Sequence, residues 1–232
     1  MDNQLPASGI ELFAGPLEID EAELSSAAEE RGTAVDLSED LRLLARKNYL
    51  RLLKTDARRE KSGGVWRTHT GLRLASTPDP ACRFVWVSLT IRLDLTPHAL
   101  VTEIKPTKGG KQEVKFTRKI SPALEAQVPG VSVKATLGAE KGVESTIEYP
   151  LLVGSNYEDW ANWTFRAPTE EHELALDHPL SMVTEFPMNT PGGLRASIDL
   201  SARIAFRDWR RIVPLMGRRD AKEQGAIIYL DQ

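Results

Sequence analysis

One cysteine, Cys82, stands alone among 232 residues. A lone cysteine excludes an internal disulfide and any cysteine-only metal cluster within one chain, and its reduced state fits a cytoplasmic setting. Long apolar runs are also missing: no window approaches the 18 or so consecutive apolar residues of a spanning helix. The opening Met1-Asp2-Asn3-Gln4-Leu5-Pro6 has no basic stretch followed by an apolar one, so export by a signal peptide is not expected. Nor is there an excess of either charge, with Lys+Arg 30 against Asp+Glu 33 and a net charge of -3. That balance gives no global electrostatic case for binding nucleic acid. What remains is ordinary globular usage, 41% hydrophobic and 27% charged, enough to build a core.

Charge is segregated along the N-terminal quarter. Eleven acids and one arginine lie between Met1 and Asp40, whereas residues 41–61 carry eight bases and two acids. Adjacent blocks of opposite sign can pair with each other or serve as interaction tails. Asp36-Leu37-Ser38-Glu39 has the spacing of a capping box. After it, Leu37, Leu41, Leu44, Ala45, Tyr49, Leu52 and Leu53 recur at helical spacing, and Ser62-Gly63-Gly64 supplies a stop. The expectation is an amphipathic basic helix within 37–64, with Lys47, Arg51, Lys54 and Arg58 as a stripe beside the apolar one. A second helix is expected from about Asp20 to Arg31. The organisation read from this pattern is an acidic arm at 1–36, the helix and Gly-Gly linker at 37–64, a β-sandwich domain at 65–206, and an Arg/Trp-rich segment at 207–232.

Beyond Gly64 the period changes to alternation. Val85, Val87, Leu89, Ile91, Leu93 and Leu95 occupy every second position of one stretch. Leu194, Ala196, Ile198, Leu200, Ala202, Ile204 and Phe206 do the same in another, and both read as half-buried strands. Shorter strands are expected near 100–104, 113–120, 131–137, 143–149, 160–166, 173–176 and 182–186, with breaks at Lys108-Gly109-Gly110, Gly138, Pro150, Pro168, Pro187 and Pro191-Gly192-Gly193 among others. No helical stretch separates these strands, so parallel crossovers have no material and the sheets should be antiparallel. The fold class expected is mainly β, an antiparallel sandwich or partly closed barrel with an N-terminal helical arm.

Signs of catalysis are sparse. His172 and His178 lie in an acidic stretch, but six residues on one strand separate them by roughly 20 Å, too far for one metal ion. Val153-Gly154-Ser155-Asn156 lacks the second glycine of a nucleophile elbow, and Lys108-Gly109-Gly110-Lys111 lacks the glycine spacing and following helix of a phosphate loop, which leaves a Gly-Gly hairpin turn as its reading. Neither a cofactor, a metal nor a catalytic residue is assigned.

Two surfaces stand out instead. Residues 207–219 mix Trp209, Arg210, Arg211, Arg218 and Arg219 with Ile, Val, Leu and Met, the composition of an interface anchor, and Ala226–Leu230 could add an edge strand to its own sheet or a neighbour's. The other surface is aromatic: Trp163 and Phe165 share a parity and belong to the core, while Trp160 falls on the opposite face. The leading expectation is a non-enzymatic module that engages another protein chain or itself through the charged arm and C-terminal segment. The alternatives are a membrane-acting effector, since strands such as 83–95 exceed the roughly 9–11 residues of a barrel strand and the Arg/Trp segment suits anionic lipid, and a hydrolase using the His172 and His178 region.

Overall fold

The structure is a computed structural model and describes residues 9–30, 38–118, 133–137, 143–167, 172–174, 176–206, 212–216 and 226–231. In chain order the elements are β1 (Ile10–Pro16), β2 (Glu18–Ile19), α1 (Glu21–Glu30), α2 (Glu39–Ala45), β3 (Tyr49–Ser62), β4 (Val65–Thr77), β5 (Cys82–Arg92) and β6 (Leu100–Lys105). They continue with β7 (Lys108–Arg118), β8 (Val133–Leu137), β9 (Val143–Tyr157), β10 (Trp160–Arg166), β11 (Asp177–Pro187), β12 (Arg195–Phe206), β13 (Ile212–Met216) and β14 (Ala226–Tyr229). The protein is mainly β, and its described strands pair antiparallel.

Two sheets form. The first has the order β1-β3-β4-β11-β6; the second has β2-β13-β12-β5-β10-β9-β7, with β14 beside β12 and β8 beside β9. Neither closes into a barrel. Leu50, Leu52, Leu72, Leu74 and Phe186 of the first sheet share one core with Val87, Leu89, Ile91, Trp163, Phe165 and Leu200 of the second. The alternation read at 85–93 and 194–206 therefore lands as expected: Ile91 pairs with Ile198, Leu89 with Leu200 and Val87 with Ala202, on neighbouring strands of one sheet. Cys82 is buried and forms no disulfide.

The long helix expected within 37–64 does not form. Only Glu39–Ala45 is helical, and its cap is Ser38, whose hydroxyl accepts from the Leu41 amide at 3.4 Å. Asn48 ends the turn by donating its amide to the Leu44 carbonyl at 2.9 Å, and the chain then runs as strand for fourteen residues. The reason is that Leu50, Leu52 and Lys54 fit a period of two, while the adjacent Leu53 lets the same cluster read as a helical stripe. Pairing with β1 on one side and β4 on the other supplies long-range hydrogen bonds that local propensity cannot match. Gly63 and Gly64, with φ of 56° and 90°, are the two-residue turn of the β3–β4 hairpin rather than a helix stop. The helix expected near 20–31 is present as α1.

Other boundaries also shift. Gly109 and Gly110 lie inside β7, where a Cβ on Gly109 would stand 3.1 Å from Leu152 Cδ2, so the glycine serves close packing rather than a turn. Pro150 sits within β9, opposite Lys111, without breaking the strand. Residues 173–174 and 176 are not strand. Leu174 donates its amide to Phe84 in the second sheet and the Leu176 carbonyl accepts from Ser76 in the first, so this stretch crosses between the sheets. Ala226–Tyr229 does form an edge strand, on its own sheet, as β14.

Candidate functional site

The basic residues proposed at 47–58 do not make one stripe. Lys47 and Arg58 are exposed, while Arg51 pairs with Glu11 at 3.2 Å. Lys54 is buried and donates Nζ to the Tyr229 carbonyl at 3.0 Å; burial pushes its ammonium below the ordinary lysine range, and nearby Asp231 opposes that shift. The two charge blocks instead engage each other, through Glu21 with Arg42 at 3.0 Å and Glu18 with Arg46 at 3.8 Å as well as Glu11 with Arg51. These acids and bases are largely exposed, so each pair contributes under about 1 kcal/mol.

Trp209, Arg210, Arg211, Arg218 and Arg219 lie outside the described residues. Trp160 is half-buried at the head of β10, paired in register with Arg92 and Tyr157. His178 stacks on the Phe165 ring with centroids 5.5 Å apart, a packing role. Among the described residues no three His, Cys, Asp or Glu side chains converge as a metal site.

The strand named at 83–95 as a membrane candidate is instead the centre of the sandwich, its odd positions packed in the core. A different ladder carries a two-faced pattern. β7 pairs with Val143–Val153 of β9 over eleven residues without a register shift, and β8 pairs with the same end of β9 from the other side. Register places Val114 with Ile147 and Val133, Phe116 with Ser145 and Ala135, Gln112 with Tyr149, and Leu137 and Arg118 with Val143, on one parity, which is apolar over Val114, Phe116, Val133 and Ile147 and polar at Gln112 and Arg118. Lys115, Thr146 and Lys134 fall on the other, with Thr117, Glu144, Thr136, Glu113 and Glu148.

The polarity of β9 reverses along its length. In the body of the sandwich the even position Leu152 is buried and the odd position Val153 is 39% exposed. Beyond Pro150 the even positions are Glu148, Thr146 and Glu144, and the odd ones are Tyr149, Ile147, Ser145 and Val143, apolar or aromatic except at Ser145. A strand that buried one face against this domain throughout would keep its apolar residues on one parity. The sequence contained part of this signal in the alternation of 143–149, but its break in parity has meaning only once Leu152 is known to face the core.

The root of this ladder is tightly fitted. Gly154 donates its amide to Thr107 O at 2.8 Å, and a Cβ there would run into the Pro106 carbonyl, with Thr107 Cα 3.2 Å away. Gly154→Ala is expected to cost about 1–3 kcal/mol by forcing backbone apart, measurable as a lowered denaturation midpoint; an unchanged midpoint would show that the 106–107 backbone yields freely.

No protein-family model and no curated protein matches the chain. Among solved structures it is similar to the NetB toxin of Clostridium perfringens in its membrane-inserted form, at 6% identity and a TM-score of 0.32, over 74% of this chain and 86% of that one. It is also similar to a pore forming protein, at 8% identity and a TM-score of 0.29, over 74% of this chain and 88% of that one. Likeness at this level assigns neither a family nor an activity.

Proposed function

We propose that this chain acts on membranes, its β7–β9 ladder entering lipid once several copies have assembled. The observation that carries the reading is the reversal of polarity in β9, which gives the middle of the ladder, at Val114, Phe116, Val133 and Ile147, an apolar stretch on the parity opposite to that of the sandwich core, with Gln112 and Arg118 at its two ends. The eleven residues of β7 match the roughly 9–11 that a tilted strand needs to cross a bilayer. An open ladder cannot enter lipid alone, because the unpaired amides and carbonyls at its edges would each cost several kcal/mol there. Closure with strands from other copies satisfies them, so self-association belongs to the same reading. The protein-engaging module suggested by sequence thus becomes an assembly whose partner is a second copy of the chain.

The test is release of a dye trapped in vesicles of phosphatidylcholine, with and without an anionic lipid. Leakage at micromolar protein is expected, together with a discrete oligomer recovered from the vesicles in detergent. Intact vesicles of both compositions would sink the proposal.

A further inference from the structure

The outward face of the second sheet is built differently from the ladder. Register sets the outward positions of β12, β5 and β10 in rows: Ser201, Ser88 and Thr164; Asp199, Thr90 and Asn162; Ser197, Arg92 and Trp160. Tyr157, opposite Trp160 across the β9–β10 hairpin, extends the last row and is 62% exposed. At the other end the surface is closed, because the Arg203 guanidinium lies 5.1 Å from the Trp86 ring and is held by Glu23 at 2.6 Å.

Asn162 organises the floor between these ends. The two Nδ2 hydrogens serve Ser88 Oγ at 2.9 Å and Thr90 Oγ1 at 2.9 Å, one of them shared with the Leu89 carbonyl at 3.3 Å, while its Oδ1 accepts from Thr164 Oγ1 at 3.0 Å. Ser88 and Thr90 therefore accept from the amide, and each keeps a hydroxyl proton to give to a molecule above the sheet. These donors are held in place before anything binds, which lowers the ordering cost of recognition.

We infer that this face, from Trp160 and Tyr157 across Thr90 and Ser88, binds a neutral oligosaccharide. A pyranose ring has an apolar C–H face that fits an indole or phenol and a rim of hydroxyls that fits fixed donors and acceptors. The four residues from the Arg92 row to the Ser88 row span about 13 Å at ~3.3 Å per residue, room for a short chain of rings. Charge selects the class. Arg92 and Arg166 are exposed on this face, but so are Asp199 and, at the hairpin, Glu158 and Asp159, so the surface offers no excess of positive charge to a sulfated glycan or a nucleic acid. The Ser, Thr and Asn floor likewise provides no apolar centre for a protein interface. This inference uses β5, β10 and β12, not the ladder, and so stands or falls apart from the membrane reading.

Calorimetric titration of the full chain with maltotetraose, cellotetraose, chitotriose and lacto-N-tetraose tests it without any membrane. At least one of these is expected to bind, with the affinity falling by about tenfold or more in Trp160→Ala, the size of effect when one stacking anchor is removed. Thr90→Val, which removes a donor with little change of shape, should weaken the same sugar several-fold, and Trp66→Ala, at the distant β3–β4 turn, should not. Tyr157→Ala, at an exposed position, serves as the second aromatic variant if Trp160→Ala fails to fold. Absence of binding by all four sugars would overturn the inference, as would binding that survives both Trp160→Ala and Thr90→Val. Binding confined to a heparin tetrasaccharide or to a short single-stranded oligonucleotide would overturn it equally.

Discussion

Asp231→Ala is expected to destabilise the protein by about 2–4 kcal/mol, lowering the melting temperature by roughly 5–15 °C in a chain of this size. The Asp231 side chain is 1% exposed, and its Oδ2 accepts from Arg59 Nη1 at 2.8 Å. Around it the last residues of the chain bind both sheets. β14 pairs with β12 in the second, while the Tyr229 carbonyl accepts from Lys54 and the Leu230 carbonyl from Thr70 Oγ1 at 3.3 Å in the first. Breaking a fully buried ion pair costs about 3–5 kcal/mol; Arg59 is 35% exposed and also lies 4.0 Å from the Trp66 ring, so water and the indole soften the loss. Arg59→Ala should be at least as costly as Asp231→Ala, because it leaves a buried carboxylate without its ion-pair partner. Thermal denaturation followed by circular dichroism decides the matter. A change below about 0.5 kcal/mol in both variants would mean that the C-terminal segment does not hold the sheets together.

Much of the sandwich was legible because its strands are half-buried, and half-burial writes itself as alternation. Val85 to Leu93 and Ala196 to Phe206 are read correctly from one chain since each strand has water on one side and core on the other. β3 was misread for a related reason: Leu50, Leu52, Leu53 and Lys54 are all buried, so the period of two blurs into a cluster that a helix also accommodates. The arbiter was pairing with β1, some forty residues earlier, which no local window contains. The sites were less legible still. Trp160 could be assigned to the outward face by parity, but the row that joins it to Arg92 and Ser197 is set by register between distant strands. Lys54 looked like one more surface base, yet the strand that buries it places its ammonium beside a carbonyl 175 residues away.

A single charge on the apolar parity of the ladder should abolish vesicle leakage, whereas a change on the polar parity should leave it intact. Ile147 lies in register with Val114 and Val133, near the middle of the ten residue pairs that join β7 and β9. A lysine on the lipid face near the bilayer midplane costs about 2–4 kcal/mol in each copy, and an assembly of several copies multiplies that cost. Ile147→Lys is thus expected to reduce leakage by at least about a hundredfold, from a penalty of roughly 3 kcal/mol for even one inserted copy. Glu148, the next residue and on the opposite parity, provides the control: Glu148→Gln should leak like the parent chain, since its face meets water before and after insertion. Both variants should melt within about 1 kcal/mol of the parent in solution, because the ladder pairs through its backbone and neither change removes a strand hydrogen bond. The comparison separates insertion from simple adhesion. A protein that only coats the bilayer would lose little from Ile147→Lys on anionic vesicles and would gain from its charge. If the two neighbours instead behave alike, the parity reversal of β9 has no part in the activity, and the ladder is not the element that enters the membrane.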